Sequence, residues 1–226
     1  MCSCGPVKRG KRTLAPIDFV DVPGISNKSN LTIGVLADTH LPFRLKRLPA
    51  QLLAVFRDVD LILHAGDVDQ MEYIRQLEMI APLYAVRGNL HFKPNELSHG
   101  GIELPFDLHF SLLGYHLVLN HGGWPHFGAL ASDWFWEKLL EPSRKGANAR
   151  IVRRLLRIYP YADVIIFGHT HQPYQARHGR TLVFNPGGVV PFDRLKPSVG
   201  RLILKPHEVI AELIPLDEEV LEDTFT

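Results

Sequence analysis

The ten residues 31–40, LTIGVLADTH, run an apolar, partly β-branched stretch straight into an aspartate and a histidine. A run of that length and composition reads as a buried strand, and the polar pair falls where the strand must stop. Two further stretches repeat the design. Residues 60–68, DLILHAGDV, and 82–89, PLYAVRGN, are short apolar runs closed by Gly-Asp and Gly-Asn. Residues 49–59, PAQLLAVFRDV, and 70–80, QMEYIRQLEMI, lie between them with helical spacing. Strand, helix, strand, helix, strand is the order of a parallel sheet with right-handed crossovers.

Downstream the texture changes. Residues 101–123, GIELPFDLHFSLLGYHLVLNHGG, read as two strands joined by a turn at Leu113-Gly114, a hairpin rather than a crossover. Residues 124–147 form an aromatic-rich insert. Residues 148–159, NARIVRRLLRIY, predict an amphipathic helix capped by Asn148, with the RRLLR stretch facing solvent. DVIIFGHTH at 163–171 returns to buried strand, and TLVFNPGG, GRLILKP and EVIAELIPL finish the chain with short strands. Residues 1–29, rich in Gly, Pro, Ser, Asn and Lys, read as a loosely ordered N-terminal extension. The expected organisation is one α/β domain over 30–216, interrupted by the insert and followed by an acidic tail at 217–226.

Composition excludes several classes. At 226 residues the chain is long enough to bury a proper core, and 46% hydrophobic with 22% charged residues is ordinary for a globular protein. Lys plus Arg total 25 against 24 Asp plus Glu, so a net charge of +1 offers no reason for bulk nucleic-acid or membrane affinity. The two cysteines, Cys2 and Cys4, cannot support a disulfide framework. No apolar run approaches the ~20 residues of a membrane span, and the start lacks an apolar signal core. The expected location is the cytoplasm.

The polar residues at the strand ends form a pattern. Asp38 and His40 follow the first strand, Asp67 the second, Asn89 the third, His121 the hairpin, and His169 with His171 the run VIIF. In open α/β sheets ligands bind beyond the carboxyl ends of the strands, so these loops can converge on one site. Singly, each Asp or Asn reads first as a strand terminator or helix cap. Termination needs no histidine, however, and several imidazoles buried without partners would be costly. Two carboxylates, an amide and four imidazoles make a mixed oxygen and nitrogen set that suits manganese, iron, zinc, cobalt or nickel.

In their order, ADTH, HAGDV, RGN, NHGG and FGHTHQP resemble the signature of the calcineurin-like metallophosphoesterases. With the short length and the downstream FNPGG, the chain is most similar to the small bacterial and archaeal phosphodiesterases of that superfamily. The resemblance spans about 31–214. It implies two mixed β-sheets packed as a sandwich flanked by helices, a four-layer fold with two divalent ions at one edge, manganese foremost. By resemblance, Asp38, His40 and His171 would hold one ion, Asn89, His121 and His169 the other, and Asp67 would bridge them. The implied reaction is in-line attack on a phosphoester by a hydroxide shared between ions about 3.5–4 Å apart. Asn89 would coordinate through its carbonyl and donate from its amide to the substrate phosphate.

One position departs from the pattern. Superfamily members place His-Asp, and the small phosphodiesterases often Cys-Asp, directly after the asparagine; here Leu90 and His91 follow. Leu90 cannot donate a proton. His91 is carried as a candidate for that helper role, against a reading as a solvent-facing or supporting histidine. In the insert, Trp124, Trp134, Phe135 and Trp136 could cap the metals, or pack a helix or a dimer contact. Arg144 and Lys145 read as a solvated basic turn, and Asn185-Pro186-Gly187 as a tight turn supporting the floor of the site. The expected substrate is a small-molecule or nucleotide-like phosphoester, a diester rather than a monoester, with homo-oligomerisation left open. Two alternatives stay beside it: a catalytically weak or inactive interaction scaffold, and a metal hydrolase acting on another bond.

Overall fold

The computed structural model describes residues 17–88, 104–123 and 146–217. In chain order its elements are β1 (Phe19–Val20), β2 (Leu31–Leu36), α1 (Ala50–Val55), β3 (Leu61–His64), β4 (Leu83–Ala85), β5 (Asp107–Leu112), β6 (Tyr115–Asn120), α2 (Ala147–Ile158), β7 (Val164–Ile166), β8 (Tyr174–His178), β9 (Thr181–Asn185), β10 (Ser198–Lys205) and β11 (Glu208–Pro215). The strands make two mixed sheets, ordered β1-β5-β6-β7-β9-β8 and β11-β10-β2-β3-β4. Strands β2, β3 and β4 are parallel, as are β6, β7 and β9, so each sheet sends a set of carboxyl ends to one edge.

Alternation builds the layers. Ile33, Val35, Leu61 and Leu63 from one sheet meet Leu117, Leu119, Val164, Ile166 and Phe184 from the other in a shared core. The residues between them face outward. Ile62 packs with Leu52 and Phe56 on the α1 side, whereas Val118, Ile165 and Val183 pack with Ile151, Val152 and Leu155 of α2. Strands buried on both faces have no polar face to show, which is why their sequences read as unbroken apolar runs. Helix layer, sheet, sheet and helix layer give the four-layer sandwich that the motifs imply.

Phe184 occupies the middle of the shared core, fully buried, with its ring seated over the bare backbone of Gly200. Phe184→Ala is expected to cost about 3–5 kcal/mol, read as a lower denaturant midpoint at unchanged slope. An unchanged midpoint would contradict the packing described.

Several local expectations change. Residues 70–80 form two 3-10 segments, Met71–Tyr73 and Arg75–Met79, in place of an α-helix. Their apolar residues Met71, Ile74, Leu77 and Ile80 recur every third position, the period a 3-10 helix aligns on one face. Strand β8, YQARH, is a five-residue edge strand with no fully buried residue, so its sequence carries no apolar run to mark it. The hairpin turn lies where expected, with Leu113 at φ 50° and Gly114 at φ 81°, the pair of positive angles a two-residue turn requires. Residues 17–29, placed in a loose arm by composition, meet the body: β1 pairs with β5, and Val22 and Ile25 enter the shared core. Among the described residues no helix is long and apolar enough to cross a membrane.

Candidate metal centre

Loops leave the carboxyl ends of β2, β3, β4, β6 and β7, and hydrogen bonds lace together those after β2, β3, β6 and β7. Asp38 N–H donates to Gly66 O at 3.0 Å and His40 N–H to Asp67 O at 3.2 Å, joining the first two loops. Gly168 N–H donates to His121 O at 3.1 Å, joining the two loops of the other sheet. Across the sheets, His169 N–H reaches Asp38 Oδ2 at 3.1 Å, and His121 Nδ1 lies 2.8 Å from Ala65 O. Gly66 makes the second approach feasible: at φ 94°, any Cβ there would stand 2.5 Å from His121 Nδ1.

Six of the seven expected ligand residues lie in the described chain, and all six come to this edge. Asp38, His40, Asp67, His121 and His171 are buried, and His169 is half-buried. Donor atoms of five of them fall into two groups that share Asp38, Asp38–His40–His171 and Asp38–Asp67–His121, each with its atoms within 4.8 Å of one another; the His169 ring lies 5.2 Å from that of His121, centroid to centroid. Asp67 Oδ2 stands 3.8 Å from His40 Nε2 and 3.4 Å from His121 Nε2, while Asp38 Oδ1 is 3.9 Å from His171 Nε2. Asn89, Leu90, His91, the insert aromatics Trp124, Trp134, Phe135 and Trp136, and Arg144 and Lys145 lie outside the described residues.

The backbone at these residues is held in an unusual state. Asp38, His40, Asp67, His169 and His171 all take positive φ, between 48° and 73°. Left-handed angles cost an ordinary L-residue about 1–2 kcal/mol each, and such strain collects at functional sites where the surroundings over-determine it. Beneath the site, Gly66 N–H donates to His64 Nδ1 at 3.2 Å, leaving Nε2–H to face Thr39 Oγ1 at 3.1 Å. The Thr39 hydroxyl in turn points at Asp67 O, 3.4 Å away.

The donor set fits divalent cations. Nitrogen–oxygen separations of 3.4–3.9 Å exceed the ~2.7–2.9 Å of tight charge-assisted hydrogen bonds. They approach the roughly 3.0–3.4 Å between two ligand atoms that each sit about 2.1 Å from one cation. Electrostatics agree. Burial pushes the Asp38 carboxyl above its ordinary range, with His171 and His121 only partly offsetting it. Burial acts upward on Asp67 too, but the charge and hydrogen bond of His121, with the charges of His40 and His169, together outweigh it and hold that carboxyl well below the usual range. Burial would lower His121; Asp67 reverses this and raises the imidazole to about 9.

Sequence reading missed several supports. Phe192 stacks on the His171 ring with centroids 4.6 Å apart, and the Arg44 guanidinium lies over the Phe192 ring, 5.5 Å from its centroid. Asp69 Oδ2 lies 3.6 Å from His40 Nδ1. Asn148 is not a cap: Gly146 holds that position, and the Asn148 amide points into the loop after β7. The RRLLR stretch is only partly solvated, because Arg154 turns inward to the backbone after His121, whereas Arg153 and Arg157 are exposed. An arginine two turns from a helix start carries no local mark of that role. Asn185 meets its expected supporting place, donating to Gly168 O at 3.1 Å and to Thr170 Oγ1 at 3.0 Å.

Comparison with known proteins places this geometry in context. The family model for the calcineurin-like phosphoesterase superfamily domain matches residues 31–205. A probable metallophosphoesterase of Methanothermobacter thermautotrophicus is 33% identical over 184 residues, covering 81% of this chain and 92% of that protein. A second, from Methanocaldococcus jannaschii, is 31% identical over 189 residues, covering 83% of each. Among solved structures, Vacuolar Protein Sorting 29 from Cryptosporidium parvum superposes with a TM-score of 0.60 at 22% identity, over 84% of this chain and 94% of that one. An archaeal phosphodiesterase gives 0.55 at 21% identity, over 81% of this chain and 100% of that one. These two likenesses speak to fold alone.

Proposed function

The chain belongs to the calcineurin-like phosphoesterase superfamily, and from that premise we propose that it is a phosphodiesterase working with two divalent cations, manganese foremost. One ion is assigned to Asp38, His40 and His171 and the other to Asn89, His121 and His169, with Asp67 shared. The observation that carries this is the meeting at one edge of two overlapping buried triads, Asp38–His40–His171 and Asp38–Asp67–His121, each drawing on both sheets. Asp67 suits the shared position because one oxygen, Oδ2, faces His40 on one side and His121 on the other.

When bound, the cations would supply a nucleophile from water near neutral pH and neutralise charge on the phosphate. The chain's own part is geometric. Asp38 and Asp67 bring the negative charge that retains the ions, and the four imidazoles set their positions. Gly88, the residue before Asn89, lies with its backbone directly against Asp67, and the Asn89 amide is assigned to donate to the phosphate. Leu90 offers no proton to a departing alkoxide. Substrates with good leaving groups are therefore favoured unless His91 serves.

Leu90 is also the feature that favours the second reading, an interaction scaffold on the same fold. A test separates the readings. Turnover of bis(p-nitrophenyl) phosphate, p-nitrophenyl phosphate and a p-nitrophenyl carboxylic ester is compared with added Mn²⁺, alongside elemental analysis of gently purified protein. Faster turnover of the diester, abolished by chelation and restored by Mn²⁺, is expected. Two bound ions without hydrolysis would establish the scaffold reading, and turnover of the carboxylic ester alone would move the reaction to another bond.

A further inference from the structure

Helix α2 touches both ligand loops of the six-stranded sheet, through side chains at either end of its inner face. Ile151, Val152 and Leu155 seat it on Val118, Ile165 and Phe167. Asn148, nine-tenths buried in the first turn, reaches the loop after β7. Its Oδ1 accepts from the Thr170 hydroxyl at 2.7 Å, and its Nδ2 donates to Gln172 O at 3.2 Å.

The orientation of this amide is forced. Thr170 Oγ1 already receives Asn185 Nδ2 at 3.0 Å and Gln172 N–H at 3.2 Å, so its one proton must go to Asn148. Gln172 O can only accept, so it must face the amide nitrogen. Thr170 sits between His169 and His171, at φ 73° and 56°. The clamp therefore grips the residue between two strained backbone positions.

Farther along the helix, Arg154 Nη2 donates to Gly122 O and also to Gly123 O, at 3.2 Å, immediately after His121. The contact is close-packed: a Cβ on Gly122 would stand 3.2 Å from Ile151 Cγ2 and 3.3 Å from Phe167 Cδ2.

We propose that α2 is the element that sets the metal-binding geometry of His121, His169 and His171, with Asn148 and Arg154 as positioning residues. This rests on the assignment of those histidines as ligands under the function proposed above. The two side chains act on different loops. Asn148 governs one histidine of each ion, and Arg154 governs only the ion held by His121.

The test is titration of the chelator-stripped full-length chain with Mn²⁺, in competition with a chromogenic chelator. Melting of the metal-free protein and the Co²⁺ absorption spectrum accompany it. Arg154→Met, which keeps the aliphatic stem, is expected to weaken one ion by about 10–100-fold and leave the other near wild type. Asn148→Ala is expected to weaken both by a similar factor. Arg154→Lys should recover part of the lost affinity, and Asn148→Asp should not recover it, since a carboxylate would face Gln172 O. If either variant melts earlier without metal while both affinities hold, the residue merely stabilises the fold and the proposal is overturned. Wild-type affinities in both variants would overturn it equally. Failure of the wild type to take up two ions would instead remove the ligand assignment itself, and with it the ground for this inference.

Discussion

Asp67→Asn should lower diester turnover by about 10³-fold or more, roughly 4 kcal/mol of lost transition-state stabilisation, while leaving the fold in place. The substitution is nearly isosteric, so packing around a residue that is only 4% exposed need not change. What changes is charge. Asp67 faces His40 and His121 with a single oxygen, and its carboxyl is held ionised chiefly by His121 despite the opposing effect of burial. An amide removes one negative charge from between two proposed cations and leaves His121 without its main reason to be raised to about 9. Fewer than two Mn²⁺ per chain should accompany the loss, measured by elemental analysis after gel filtration. An asparagine variant that kept both ions and wild-type turnover would remove Asp67 from its shared position.

Gly88→Ala is expected to be nearly as damaging to activity, about 10²-fold, although it adds one methyl group. A Cβ at Gly88 would overlap Asp67 Oδ1 and stand 2.7 Å from Asp67 Cα. Neither partner can yield cheaply, because one is backbone and the other is the carboxylate proposed to be shared. Relief requires moving the loop that leads to Asn89 away from Asp67, at an overpacking cost of about 1–3 kcal/mol. Gly114→Ala is the matching control. Its Cβ would meet nothing within 4 Å, and its φ of 81° makes the cost conformational, about 1 kcal/mol. Steady-state kinetics and thermal melting of both variants distinguish the cases. Equal, small effects on turnover would show that the approach of Gly88 to Asp67 has no catalytic consequence.

Legibility followed the range of the interaction. Strands β2, β3, β6, β7 and β9 were visible because burial on both faces leaves an apolar run in the local sequence. The Leu113-Gly114 turn was visible for a similar reason, a local demand for positive φ. The 70–80 segment misled because apolar residues three apart satisfy a loose helical template as well as the 3-10 geometry they adopt. Asn148 misled through its position, since asparagine near a helix start is ordinarily a cap; its partners, Thr170 and Gln172, are more than twenty residues away.

From residue types and their order alone came the α/β class, the residues at the strand ends and the family resemblance, which in turn implied the layered sandwich, because each motif is short and its strand can be recognised in isolation. Which loops touch, that Asp67 faces His40 and His121 with one oxygen, and that an arginine and an asparagine on α2 brace loops far from them in sequence were settled only by the packing of two sheets and a helix. Those relations are long-range. They depend on the register and crossing of strands, and no stretch of chain read by itself contains that information.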